Sequence, residues 1–202
     1  MGHYWDGNKV DEPKANGPAE SPLTVETVDN HIYFYSRVNS DRCLAVTKQL
    51  RELDQRLQVE HITRGLTDEQ RVPIWLHISS FGGDPFAGFS LADTIKQQRT
   101  PVYSVVEGVC ASAATIFSVV CKQRYMQPSS FLLIHQFSLW FVGTHEQYKD
   151  EMVFQTMLMD QFVNLYTGHS KMSEADIREK LTHDFWMNPQ QAMEYGFIDG
   201  VL

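Results

Sequence analysis

Apolar side chains recur at two different spacings along this chain, and each spacing predicts its own kind of element. Short runs of branched or aromatic residues, or of apolar residues at alternate positions, predict β-strands. In one such run Ile74, Leu76 and Ile78 alternate with Trp75 and His77. The predicted strands are 31–35, 74–78, 101–106, 124–126, 131–134 and 197–201.

Apolar residues spaced three or four positions apart predict helices between these strands. Ser40 or Asp41 is expected to cap the first helix, which runs past Leu57 into an exposed loop at 59–71. The pair Asp84-Pro85 is a strong signal for the start of the second helix. The later helices are predicted at 112–120, at 144–167, after Ser173 and after Asn188.

Strands and helices alternate through most of the chain, which is the order of a layered α/β fold. Most strand pairs in such a fold are parallel, and their crossover connections are right-handed. Residues 1–22 are rich in glycine, proline, asparagine and charge, so we expect a poorly ordered tail. The remainder, 23–202, is predicted to form a single domain.

The helix predicted at 144–167 differs from the others because its apolar residues are not confined to one stripe. Thr144 can cap it and Gly168 can end it. A helix that is apolar on several sides must be covered on more than one face. In a chain of 202 residues the simplest cover is another subunit.

Composition excludes several classes of function. The chain has 17 basic and 25 acidic residues, a net charge of −8, and no basic stripe, which argues against a nucleic-acid partner. Its three cysteines, Cys43, Cys110 and Cys121, lack metal-ligand spacing, so we expect buried thiols in a reducing compartment. The N-terminus lacks the apolar core of a secretory signal, and no apolar run approaches the ~18 residues of a membrane span. A cytoplasmic location is expected.

The segment from Gly108 to Thr115 joins a strand to a helix through small residues. Ser112 lies at this junction, where free backbone N–H groups favour negative charge. Small residues also serve simply to pack a helix against a sheet. Position alone therefore does not make Ser112 a nucleophile.

Four segments occur in a characteristic order: Ile78 to Gly83, Gly108 to Ala114, Leu133 to Gln136, and Asp184 followed by 192–199. Together they resemble the proteolytic subunit of the Clp proteases (ClpP), over about residues 24–202. The resemblance implies the crotonase-like, ClpP-type α/β fold of layered β-sheet and helices. It also implies that the helix at 144–167 is a protruding handle.

By this resemblance Ser112 is the nucleophile, His135 the general base and Asp184 the acid that orients the histidine. The oxyanion hole would consist of the backbone N–H groups of Gly83 and Ala113. The chemistry fits, because a serine hydroxyl is a weak nucleophile until an imidazole removes its proton. The carboxylate then fixes the imidazole tautomer and stabilises the imidazolium. No cofactor and no metal is implied.

The resemblance implies a serine endopeptidase that cleaves short or unfolded polypeptides inside a homo-oligomeric heptameric ring, which in the family stacks into double rings. Two features depart from the family. Phe137–Phe141 replaces the usual proline and glycine-bearing strand that lines the substrate channel, and Ala113 replaces a methionine. In addition, the tail does not resemble the axial loops that contact an AAA+ unfoldase, so nothing in the N-terminus supports that partner.

Two other functions stay open at this point. One is a structural ring subunit that has lost its activity, although the triad residues are all present. The other is an acyl-CoA enzyme of the same broad fold, which would use the paired N–H groups for a thioester oxyanion. A Ser–Lys dyad with Lys122 is discounted, since a helix residue ten positions on projects ~15 Å along the axis from Ser112.

Overall fold

A computed structural model describes residues 25–138 and 141–202. The tail predicted at 1–22 lies outside the described residues. The strands are β1 Glu26–Val28, β2 His31–Phe34, β3 Ile74–Ser80, β4 Val102–Ala111, β5 Gln123–Met126, β6 Phe131–Ile134, β7 Phe185–Met187 and β8 Gly200–Val201. The helices are α1 Ser40–Thr63, α2 Pro85–Gln97, α3 Ala113–Val119, α4 His145–His169, α5 Glu174–Lys180 and α6 Pro189–Glu194.

The described strands form one sheet, in the order β1-β2-β3-β4-β5-β8, with β6 and β7 attached beside the end of β4. All neighbours are parallel except β1 with β2 and β6 with β7. This confirms the layered α/β fold with largely parallel pairing. The long strand β4 pairs with β5 through its first half and with β6 through its second half.

The core lies between the sheet and helices α1, α2 and α3. Along β3, Ile74, Leu76 and Ile78 are fully buried, whereas the alternating residues Trp75 and His77 are half-buried on the other side. Half-buried aromatic rings cover that second face, where Trp75 contacts the rings of Tyr103 and Tyr125 edge-on or tilted. The alternation that predicted β3 therefore separates a helix-covered face from an aromatic face.

Several boundaries differ from the sequence prediction. Strand β4 does not end at Val106, because Gly108 adopts a φ of +79° and carries the strand through a bend to Ala111. Helix α1 is capped by Asn39, not by Ser40 or Asp41, and it continues to Thr63. The loop predicted from residue 59 is therefore shorter and contains a 3₁₀ turn at Asp68–Gln70.

Helix α4 begins as predicted, with Thr144 as N-cap in a reciprocal capping box with Gln147. It passes through Gly168, which was predicted to end it, and ends at His169. Those buried side chains all lie in its C-terminal half: Leu158, Phe162, Val163 and Tyr166. The N-terminal half extends from the domain and leaves large apolar side chains exposed: Tyr148, Met152, Val153, Phe154 and Met157.

The three cysteines are free and buried, as predicted. Burial raises the pKa of Cys43 to about 11 and those of Cys110 and Cys121 to about 12, so these thiols stay protonated. Among the described residues no helix is long and apolar enough to cross a membrane.

Candidate active site

Strand register brings Ser112, His135 and Asp184 to one edge of the sheet. Ala111, the last residue of β4, pairs with Leu133 of β6, and the Ser112 N–H donates to the Leu133 carbonyl at 2.9 Å. Ile134 of β6 pairs with Phe185 of antiparallel β7. The next pair in that register is His135 with Asp184. Three adjacent strand ends therefore present the three predicted side chains.

Ser112 itself occupies a strained backbone conformation. Its φ of 54° and ψ of −126° lie outside the ordinary regions for a residue with a side chain. Two hydrogen bonds from Thr115 hold this turn: the Ser112 carbonyl accepts from the Thr115 N–H at 2.9 Å and from Thr115 Oγ1 at 2.6 Å. Thr115 Oγ1 also lies 2.7 Å from the hydroxyl of Tyr166, which is fully buried in α4. Helix α4 thus supports the turn that carries Ser112.

The loop after β3 closes directly over this turn, and glycine is required for it to do so. Gly82 has a φ of +94°, and a Cβ there would meet the Ala111 carbonyl oxygen at 2.7 Å and the Ser112 Cβ at 2.8 Å. Gly83 has a φ of +149°, and a Cβ there would meet the Val38 carbonyl oxygen at 2.1 Å. No other residue fits these two positions without moving backbone.

The two N–H groups predicted for an oxyanion hole are those of Gly83 and Ala113. Within the part of the chain that the structure describes, neither donates a hydrogen bond to a protein acceptor. Ala113 is the first residue of α3. A Cβ added to Gly82 would lie 3.0 Å from the Ala113 nitrogen. Ala113 directly follows Ser112, and Gly83 directly follows the glycine that packs against the Ser112 turn, so both donors lie at this turn.

His135 and Asp184 form the more open half of the site. His135 Nδ1 lies 3.3 Å from Asp184 Oδ1, and the two side chains are 29% and 68% exposed. A proton on Nδ1 that faces the carboxylate leaves Nε2 as the basic nitrogen. In the described residues the Ser112 hydroxyl and the His135 ring are not hydrogen-bonded to each other. Such contacts often tighten only when substrate binds.

The segment after His135, which includes the residues that replace the family's channel-lining strand, forms no strand over its described part. The Gln136 N–H donates to the Leu181 carbonyl at 2.9 Å, which turns the chain away from the sheet. Phe137 stacks on Phe162 of α4 with ring centroids 5.9 Å apart. Residues 139 and 140 lie outside the described part of the chain.

A second histidine–carboxylate pair, which sequence reasoning missed, lies on the aromatic face of the sheet. His77 Nδ1 lies 2.8 Å from Glu107 Oε1, and the other His77 nitrogen lies 2.8 Å from His31 Nδ1. Glu107 also accepts from the hydroxyl of Tyr35 and, at 3.2 Å, from Gln127 Nε2. The alternation of polar residues along β2 and β3 was the available signal, since it predicts that His31 and His77 share one face.

Burial, with a smaller contribution from His31, lowers the pKa of His77 to about 4. Burial raises the pKa of Glu107. A neutral His77 can donate from Nδ1 to Glu107 and accept at Nε2 from His31, so the contacts form one directional chain. Across residues 25–138 and 141–202, no three histidine, cysteine or acidic side chains are grouped to hold a metal ion.

Comparison with known proteins gives a consistent family. The family model described as Clp protease matches residues 26–202. Among curated proteins, the ATP-dependent Clp protease proteolytic subunit of Leuconostoc citreum is 29% identical over 203 residues, covering 98% of this chain and 94% of that one. The proteolytic subunit of Deinococcus radiodurans is 25% identical over 170 residues and covers 83% of each chain. Among solved structures, a ClpP1 mutant from Listeria monocytogenes superposes with a TM-score of 0.73 at 22% identity, covering 86% of this chain and 91% of that one.

Proposed function

Because this chain belongs to the Clp protease family, we propose that it is a serine endopeptidase that cleaves short or unfolded polypeptides through Ser112, His135 and Asp184. The observation that carries the proposal is the register of β4, β6 and β7: Ser112 and His135 directly follow β4 and β6, and Asp184 directly precedes β7. The free N–H groups of Gly83 and Ala113 beside the strained Ser112 turn support it further.

In the proposed reaction His135 Nε2 takes the proton from Ser112 Oγ as that oxygen attacks the substrate carbonyl carbon. Negative charge moves to the carbonyl oxygen, where the Gly83 and Ala113 N–H groups stabilise it. Loss of one such donor typically costs ~2.7–4 kcal/mol of barrier. His135 then donates the proton to the departing amine, and the acyl group remains on Ser112. A water molecule, activated by the same imidazole, releases the peptide acid and restores the serine.

The role of Asp184 in this proposal is to hold the Nδ1 proton of His135 and to stabilise the imidazolium. The Asp184 side chain is 68% exposed, so water screens its charge and it stabilises the imidazolium less than a buried carboxylate would. The strained backbone at Ser112 is consistent with a nucleophile, because strain is stored where surrounding structure holds a reactive group in position.

The proposal includes self-assembly into a ring. The N-terminal half of α4 exposes several large apolar side chains, and Phe86 of α2, itself exposed, stacks on Phe154 with ring centroids 6.0 Å apart. Apolar surface of this kind on a projecting helix favours contact with a neighbouring subunit. The proposal does not include an ATPase partner, because only the names of the relatives suggest one.

Replacement of Ser112 by alanine tests the proposal directly. We expect S112A to lose both hydrolysis of short fluorogenic peptides and labelling by a fluorophosphonate, while the native mass stays that of the assembled ring. Ser90 lies exposed on α2, so S90A is the matched control and should retain both activities. Undiminished hydrolysis in S112A would exclude the proposal. An assembled wild-type ring that reacts with no serine probe would instead identify an inactive ring subunit.

A further inference from the structure

A short segment after β2, residues 35–39, runs beside the loop that contains Gly82 and Gly83. The Val38 N–H donates to the Gly82 carbonyl at 2.8 Å, and the Asp84 N–H donates to the Val38 carbonyl at 2.9 Å. These two bonds form an isolated parallel bridge between Val38 and Gly83. The bridge fixes the backbone of the preceding residue, Arg37, next to the proposed oxyanion donor.

The side chain of Arg37 continues along the same loop. Its Cγ lies 3.1 Å from the position that a Cβ on Gly83 would occupy, so the aliphatic stem packs against the glycine. Beyond it, residues 35–37 and 79–83 enclose an open cavity of about 470 Å³. Phe81 forms part of its wall, and the Phe81 side chain is 79% exposed. The cavity thus combines a cation with an exposed aromatic ring beside the Ser112 turn.

The guanidinium of Arg37 has no carboxylate within 4.0 Å among the described residues, although the chain has more acids than bases. Two acids beside the cavity residues, Asp84 directly after the glycine loop and Glu107 in contact with Tyr35, are already engaged. Asp84 accepts from the Phe86 N–H at 2.8 Å as the cap of α2, and Glu107 accepts from Tyr35 and His77. By contrast, Arg124 and Arg178 each bind an internal carboxylate at 2.7 Å.

We propose that Arg37 binds a carboxylate of the substrate beside the scissile bond, so that this peptidase prefers acidic peptides. The inference rests on the proposed function, because it needs a peptide held at the Gly83 N–H. A guanidinium binds carboxylates through two parallel hydrogen bonds, which gives both affinity and orientation. Phe81 would contact the apolar part of the same residue. The carboxylate comes either from an acidic side chain or from a free C-terminus, and the two sources are separable.

The experiment uses peptide sets that differ only in charge. One set carries Glu, Gln or Lys on either side of the cleaved bond, and a second set ends in a free acid or an amide close to that bond. We expect the wild-type ring to cleave Glu peptides, or the free acids, about tenfold better in kcat/KM than the neutral partners. Preference confined to the first set identifies a side-chain carboxylate, and preference confined to the second identifies a C-terminus.

Three variants assign that preference to Arg37. R37Q should bring the ratio of kcat/KM for acidic and neutral peptides close to one, a comparison made within the variant. R37E should favour Lys peptides, and R37K should keep part of the preference because it retains the charge without the planar fork. The control is R51Q, since Arg51 is exposed on α1 away from the cavity, and it should match wild type.

Three results would overturn the inference. They are equal cleavage of acidic and neutral peptides by wild type, an unchanged preference in R37Q, or dissociation of the ring in R37Q, which would assign Arg37 to a subunit contact. A failure of the proposed function has a different signature. In that case wild type cleaves no peptide of either set and no fluorophosphonate labels Ser112.

Discussion

His77 and His135 each lie within ion-pair distance of a carboxylate, at two places on the same sheet. The His77–Glu107 distance is 2.8 Å, and both side chains are largely buried, with 13% and 16% of their surfaces exposed. The His135–Asp184 distance is 3.3 Å, with 29% and 68% exposed. By hydrogen-bond length and burial alone, the first pair resembles a catalytic dyad more closely than the second.

What separates the two pairs is what surrounds them. The second ring nitrogen of His77 already contacts His31, the ring of Tyr33 stacks on His77, and the ring of Trp75 stacks on His31. His135 instead follows β6, whose neighbour β4 ends at Ala111, directly before Ser112. A histidine can act as a base only if its basic nitrogen is free to reach a proton donor. The comparison shows that a histidine–carboxylate distance is weak evidence for catalysis without an adjacent nucleophile.

Replacement of each of the two histidines in turn should give the largest contrast between the two pairs. We expect H135A to lower kcat/KM for peptides by about 10³-fold or more with little change in the free energy of unfolding, since the residue is partly exposed. H77Q should do the reverse. It disrupts a buried hydrogen-bond chain, so we expect the free energy of unfolding to fall by about 1–2 kcal/mol while kcat/KM stays within twofold. Peptide kinetics and denaturant unfolding on both variants measure the two effects.

A loss of peptidase activity in H77Q with an intact ring would break the comparison, because it would connect the aromatic face to catalysis. Full activity in H135A would also contradict the comparison, because His135 would then not be the catalytic base.

Replacement of the two carboxylates should give a smaller contrast. D184N keeps an oxygen that can accept from His135 Nδ1 but removes the charge that stabilises the imidazolium. We expect kcat/KM to fall about 10- to 100-fold, less than for a buried triad acid, because water screens a side chain that is 68% exposed. A fall of 10⁴-fold would indicate that assembly or substrate buries Asp184.

E107Q is the matched control for D184N. Glu107 accepts from three donors, so an amide in its place turns an NH₂ group toward one of them. We expect the free energy of unfolding to fall by about 1 kcal/mol and kcat/KM to stay unchanged. A loss of activity comparable to that of D184N would remove the functional distinction between the two pairs.

The sequence alone was sufficient to predict those elements of the fold that depend on local patterns. Alternation along β3 and the pair Asp84-Pro85 predicted their elements, and helical spacing with Thr144 predicted the start of α4. The candidate residues Ser112, His135 and Asp184 came from the order of motifs, not from their separate properties. Asp184 alone would be an ordinary acid in a loop.

Other features depend on contacts between distant segments, which spacing does not reveal. Strand β7 is only three residues long and forms because Phe185–Met187 pairs with β6, so no local sequence pattern predicted it. Gly108 was expected to end a strand, yet pairing with β6 on the far side of the bend carries β4 to Ala111. The bridge that brings Arg37 beside Gly83 joins residues 45 positions apart. The His77–Glu107 pair likewise requires the parallel register of β3 and β4.

The smallest expected effect is a pH dependence of stability that belongs to the buried pair. Burial lowers the pKa of His77 to about 4, whereas an unfolded histidine titrates near 6.5. Between these values the unfolded chain binds more protons, so the free energy of unfolding falls as pH drops from about 6.5 to about 4. Glu107 acts in the opposite direction. Its raised pKa means that the folded chain binds more protons above the unfolded pKa, so acidification favours the fold at that group.

Because the two effects oppose each other, we expect the net fall in the free energy of unfolding of wild type to be only about 1 kcal/mol over this pH range. Denaturant unfolding of wild type, H77Q and E107Q between pH 7 and 4.5 separates the contributions. H77Q should show a shallower loss than wild type, and E107Q a steeper one, since it keeps the neutral histidine and lacks the opposing acid. Parallel curves for wild type and H77Q would mean that the pKa of His77 is the same in the folded and the unfolded chain. In that case His77 would take up a proton near pH 6.5 without loss of stability, and the directional chain from His31 through a neutral His77 to Glu107 would not stabilise the fold, since a charged His77 has no acceptor nitrogen for His31.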